Sequence, residues 1–173
     1  MAAPQQALSH EFAAGLREVI LQGLAMELEI TKKVLGAIPE DNRDYRPDPK
    51  ARTAWELAWH LVSSDVQMTD EIADHKFQLE PKYKEEPQNV AALINWYDSN
   101  FKRAMARVRA MSPEQLCAPV DFLGAFNLPA VFYLSFVNNH SIHHRGQLAA
   151  YLRPMGSKVP SIYGGSADEP WQS

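Results

Sequence analysis

The chain has 173 residues, 46% hydrophobic and 22% charged, with 17 lysines and arginines against 21 acidic residues for a formal net charge of −4. That length buries a full core in one domain without disulfide staples, and the lone cysteine, Cys117, has no internal partner. The basic residues are scattered without interleaved aromatics, which argues against nucleic-acid binding, and no apolar run reaches the ~18–20 residues of a membrane span.

At the amino end, Met1-Ala2-Ala3-Pro4-Gln5-Gln6 lacks the basic and apolar parts of a secretory signal, so a cytoplasmic location is expected. Apolar residues at helical spacing (Phe12, Leu16, Val19, Ile20, Leu24, Leu28, Val34, Leu35, Ile38) predict a first helix over about residues 8–38, ended near Pro39. Pro39, Pro47 and Pro49 make residues 39–52 an extended loop. A second helix opens at Thr53, where Glu56 completes a capping box, and runs to about residue 74 or 75. Ala54, Leu57, Leu61 and Met68 form its apolar face, with His60 beside it.

Pro81 and Pro87 bracket another loop, after which Val90, Leu93, Tyr97, Phe101, Ala104, Met105, Val108 and Met111 mark a third helix. Ser112 and Pro113 open a short helical turn, and the stretch containing Gly124, Asn127 and Pro129 reads as irregular. A fourth helix has Pro129 in its first turn and sets Tyr133, Phe136, Val137, His140, His144, Leu148 and Tyr151 on one arc. Both histidines are therefore expected on its buried stripe. Gly156 and Pro160 close the helix. Four amphipathic helices without a strand pattern predict an all-α four-helix bundle with long loops and an extended C-terminal arm. The expected organisation is one domain over residues 1–173, its core at about 8–156 and the arm at 157–173.

The pattern richest in chemistry is Asn139-His140-Ser141-Ile142-His143-His144-Arg145-Gly146-Gln147. On a helix, side chains at i and i+4 share a face about 5–6 Å apart, which suits two imidazoles on one metal ion. His60 is the candidate third ligand, and three imidazoles leave positions for water or substrate. A competing reading keeps each histidine as a hydrogen-bonded core or surface residue, since such pairs also arise by chance. His143 points about 100° away from His144 and is expected in a supporting or surface position. Glu56 either only caps its helix or also orients an imidazole or accepts a proton. Gln147 either lines the same cavity or bridges to another helix, and Arg145 is expected to form a salt bridge or lie across the surface. The glutamate of a zinc-peptidase H-E-x-x-H motif is missing, and Cys117 reads as a small buried residue.

Tyr45-Arg46-Pro47, Thr53-Ala54-Trp55-Glu56-Leu57-Ala58-Trp59-His60, the segment from Asn139 to Gln147, and Tyr151-Leu152-Arg153-Pro154-Met155-Gly156 together resemble the DinB family of metal-binding four-helix bundles, over roughly residues 8–165. The resemblance implies that His60, His140 and His144 form a three-histidine site for a divalent metal: zinc or nickel foremost, with manganese or iron as alternatives. Related proteins include transferases that use low-molecular-weight thiols such as bacillithiol or mycothiol, and a mycothiol-dependent maleylpyruvate isomerase. The expectation is thus activation of a thiol or water for transfer to a small electrophile, with Glu56 or Gln147 in an orienting or acid–base role. The alternative is a non-catalytic metal sensor or structural protein. Substrate contacts are expected from residues 39–52, residues 116–128 and the arm. A homodimer is compatible with either reading, while nucleic-acid and membrane partners are not expected.

Overall fold

The computed structural model describes residues 8–171; the Met1–Gln6 segment and the last two residues of the expected arm lie outside the described residues. Among the described residues there are five α-helices: α1 (His10–Gly36), α2 (Ala54–Asp74), α3 (Val90–Arg109), α4 (Pro113–Cys117) and α5 (Tyr133–Leu152). The four long ones build the helical bundle, and α4 is the short turn that Ser112 and Pro113 announce.

Helix starts follow local chemistry. Ser9 accepts from the Phe12 amide, Asn89 from the Ala92 amide, and Thr53 and Glu56 exchange both bonds of the capping box, the Thr53 amide donating to Glu56 Oε2 at 2.7 Å. α2 stops at His75, which takes the left-handed conformation at φ 53°. Along α1 the buried line is Ala13, Leu21, Leu24, Leu28, Val34 and Leu35, whereas Phe12 and Val19 face outward at 59% and 68% exposure. Only the side of α1 that meets α3 and α5 is covered, so its second apolar line stays outside.

α1 packs against α3 and α5, and α2 packs against the same two helices. α1 and α2 are therefore diagonal in the bundle, as are α3 and α5. The chain needs long links where it crosses a diagonal. Residues 37–53, which hold a 3-10 turn at Glu40–Asn42, make the first crossing; residues 110–132 make the second.

The second link is more regular than its sequence suggests. It contains β1 (Pro119–Phe122) and β2 (Phe126–Pro129), an antiparallel pair with Phe122 opposite Phe126. The turn between them sets Leu123 at φ 56° and Gly124 at φ 76°, and the Asp121 carboxylate accepts from the Gly124 amide at 3.0 Å. Strands of four residues edged by prolines are too short to display a period-two pattern. The Tyr133 hydroxyl pins the hairpin to α5, donating to the Val120 carbonyl at 2.8 Å and accepting from the Leu128 amide at 3.2 Å. Pro129 thus ends β2, and a 3-10 turn over Ala130–Phe132 precedes α5; the proline does not stand in the first turn of the helix.

Beyond α5 the described residues hold no helix and fold back onto the bundle. Ser157 Oγ donates to the Ala37 carbonyl at 2.6 Å, and the Asp168 carboxylate accepts from the Val159 amide at 2.9 Å. No helix of the described residues is long and apolar enough to cross a membrane.

Candidate metal centre

Side-by-side packing of α2 and α5 brings His60 to His140 and His144. The fully buried stripe of α5 runs through Leu134, Val137, Ser141, Arg145, Leu148 and Leu152. The two histidines stand on its margin, one step around the helix, and not within the stripe as expected. The cause is that α5 fills the space between α1 and α2, so its innermost side chains point between those helices while positions 140 and 144 turn toward α2. His140 accordingly keeps 19% of its side chain exposed.

The three rings sit edge to face, with centroids 5.2 Å apart for His60–His140, 4.6 Å for His60–His144 and 4.5 Å for His140–His144. One ligand nitrogen from each ring lies within 4.8 Å of the others. The outward nitrogens are already engaged. His140 Nδ1 is 2.8 Å from Asp65 Oδ1, and His144 Nδ1 is 2.7 Å from Gln147 Oε1. Both partners are oxygens without a proton, so in each ring Nδ1 carries the hydrogen and Nε2 presents its lone pair inward. His60 Nδ1 meets Ser64 Oγ at 3.3 Å, and its Nε2 lies 3.2 Å from that of His144.

Two ring nitrogens at that distance need a proton or a cation between them. Two imidazole nitrogens on one tetrahedral ion, each at about 2.0–2.1 Å, are themselves about 3.3 Å apart, so the spacing and the donor set both fit a divalent cation. Charge points the same way. Burial, with Arg52 and the other two imidazoles adding to it, lowers the His60 pKa to about 4, and burial likewise lowers that of His144. Those two rings are neutral near pH 7, the form that binds metal.

Asp65 is the site residue that sequence reasoning missed. It is fully buried, and its second oxygen accepts from the Tyr97 hydroxyl at 2.9 Å. Burial pushes the Asp65 carboxyl up while the His140 hydrogen bond opposes it; burial and the Asp65 charge raise Tyr97 well above its usual range, so Tyr97 keeps its proton and donates. Glu56 is not drawn into the ring cluster: one carboxylate oxygen serves the Thr53 cap, and Arg46 stands 3.7 Å away. Its place is on the rim of the adjoining cleft. Gln147 grips His144 and borders a different hollow, shared with Arg52 and Tyr151. His143 is exposed, its ring 4.8 Å from that of His144 and outside the cluster.

Arg145 makes the salt bridge that was one of its two expected roles, with Glu27, but in the interior and not across the surface. Only 1% of its side chain is exposed, and it is held by the Glu27 carboxylate, the Tyr163 hydroxyl and Thr31 Oγ1. The arm thereby contributes a lid over a buried charge on the α1 side of α5. Cys117 is half-buried, with its thiol 3.6 Å from the Leu8 carbonyl.

His60 and His140 close one end of a cleft of about 540 Å³. α2 forms its floor; the segment from Phe77 to Tyr83 and the hairpin residues Phe122 and Leu123 form its walls. The hairpin lies within the residues 116–128 where substrate contacts were expected, whereas the wall after α2 carries no sequence motif that marks it.

The sequence model of the DinB family matches residues 10–172. The chain is 26% identical over 153 residues to the uncharacterized protein YrdA of Bacillus subtilis (strain 168), covering 86% of this chain and 89% of that protein. A crystal structure of a DinB-like protein from Bacillus cereus ATCC 10987 superposes with a TM-score of 0.72 at 25% identity, over 84% of this chain and 97% of that one. The crystal structure of the DinB-like protein YjoA from Bacillus subtilis gives a TM-score of 0.69 at 23% identity, over 83% and 96%, and bears on the fold alone.

Proposed function

We propose, from the premise that this chain belongs to the DinB family, that it is a metal-dependent enzyme whose His60, His140 and His144 hold one divalent first-row cation, zinc or nickel foremost. The reaction is transfer of a thiol or water to a small electrophile. The carrying observation is the donor set: three imidazoles beside a cleft, with no fourth side chain in the cluster among the described residues. Structural zinc is closed by four protein ligands, while catalytic zinc keeps a position for an outside molecule.

When bound, such a cation lowers the pKa of a thiol or water at its free positions, supplying a nucleophile near neutral pH. The protein's own groups set the stage. Asp65 and Gln147 hold the Nδ1 atoms of His140 and His144, so those two rings are oriented with Nε2 inward before a cation binds. The apolar walls keep bulk water from the electrophile. Glu56 lies at the rim, its carboxyl lowered chiefly by the Thr53 amide, which makes it a standing negative charge that orients and a poor proton donor at neutral pH.

The test is metal-dependent turnover. Protein stripped with chelator and reloaded with zinc or nickel is given chlorodinitrobenzene with a panel of low-molecular-weight thiols, and with water alone. Product formation that requires the metal and drops by roughly 100-fold or more in His140→Ala supports the proposal. Stoichiometric metal binding without turnover on any nucleophile would overturn it in favour of a sensor or structural protein.

A further inference from the structure

Glu71 has no part in the chemistry at the histidines, and its surroundings ask for an explanation. It is 5% exposed, it lines the cleft, and its Oε1 accepts from Gln67 Nε2 at 2.8 Å. Lys82, the cation on the neighbouring segment, is taken by other acids: its ammonium lies 3.4 Å from Asp70 and 3.9 Å from Asp74. Among the described residues Glu71 has no ion-pair partner. A buried carboxylate without a counter-charge is costly and marks a place where something else supplies one. Burial raises the Glu71 pKa, against hydrogen bonds from Gln67 and the Gln78 backbone.

The position of Glu71 is as telling as its burial. His60, Ser64, Gln67 and Glu71 recur at helical spacing, so they form one polar line along α2 and pave the cleft floor. Eleven residues of helix at about 1.5 Å each separate His60 from Glu71 by about 16 Å. Trp59 and Met68 flank this line on α2, the walls add Phe77, Leu79, Tyr83 and Phe122 beside the polar Gln78, and no lysine or arginine lines the space.

We propose that the cleft binds an elongated apolar molecule bearing a protonated amine, with the amine at Glu71 and the opposite end at the histidines. Charge complementarity selects this occupant. An anion of the same shape meets the Glu71 carboxylate at that end, where no lysine or arginine lines the space to receive it. An ammonium group gains the missing counter-charge for Glu71 and lies beside aromatic side chains that favour cations. The apolar body of the ligand covers the walls. This deepens the proposed function, on which it depends only for which end of the ligand reacts.

The experiment uses phenylbutylamine and phenylbutyrate, one framework with opposite charges, titrated calorimetrically into the full chain with and without zinc. In the zinc-free protein the amine is expected to bind about tenfold or more tighter than the carboxylate, and zinc, which offers a carboxylate a second site at the histidine end, is expected to narrow that ratio. Glu71→Gln is expected to erase that ratio by weakening the amine alone, and a tryptophan in place of Ser63, which also lines the cleft (Ser63→Trp), to fill the space and block both probes. Equal or tighter binding of the carboxylate to the zinc-free wild-type protein would overturn the proposal without any variant, as would an unchanged ratio in zinc-free Glu71→Gln. The two proposals fail separately: absence of stoichiometric zinc with amine binding intact sinks the metal centre, and stoichiometric zinc uptake by a protein that shows no amine preference when zinc-free sinks the cleft assignment.

Discussion

Asp65 accepts hydrogen bonds from Tyr97 and His140 at once, and so decides which nitrogen of His140 faces the centre. Asparagine at this position keeps the shape and loses the charge that strengthens the imidazole as a donor. Asp65→Asn is therefore expected to weaken zinc binding about 10–100-fold while leaving the circular dichroism and Tm near wild type. Competition against a chromophoric chelator measures this, and unchanged affinity would remove Asp65 from the account. The histidines were legible in the sequence because residue type and i, i+4 spacing are local properties. Asp65 was half-legible: it falls with Leu61, Val62 and Thr69 on the buried side of α2, where an acid must find a partner. That the partner is His140, 75 residues away, is written only in the packing. The burial of the Arg145 salt bridge was hidden for the same reason, because spacing shows which residues share a face and not which face turns inward.

α2 and α3 are tied together by an acid at the far end from the histidines. The Asp70 side chain is fully buried and meets Arg103 at 2.8 Å, with Arg107 and the Tyr83 hydroxyl completing the cluster. Burial pushes the Asp70 carboxyl up, but hydrogen bonds from Arg103, Tyr83 and Arg107 outweigh it and hold the group well below its usual range. A depressed folded-state pKa stabilises the protein above the unfolded value and loses that contribution as pH falls below it. Asp70→Asn is thus expected to cost about 2 kcal/mol at pH 7, less than for a wholly buried pair because both guanidinium groups keep water. The gap from wild type should close as pH drops below about 4. Urea unfolding at several pH values checks this, and a gap that persists or widens in acid would contradict it. Among the elements, helices with caps and long apolar periods could be read directly. The hairpin could not, since its strands are short and its order comes from Tyr133 bonding across the link.

At the scale of the whole molecule, the helix pattern foretold a bundle but not which helices are neighbours. The diagonal placement of α1 and α2 leaves α2 against α5, and that adjacency alone turns two distant histidine motifs into one centre. A cation held there joins elements that only the folded chain brings together, so it is expected to stabilise the protein by about 2.7 kcal/mol at a free concentration a hundredfold above Kd. The measurement that tests the centre most directly is zinc-edge X-ray absorption on the reloaded protein. One zinc per chain is expected, bound by three imidazole nitrogens at about 2.0–2.1 Å, with at least one further donor from outside the chain that an added thiol replaces. A zinc closed by four side chains, or a protein that retains no zinc at all, would contradict it.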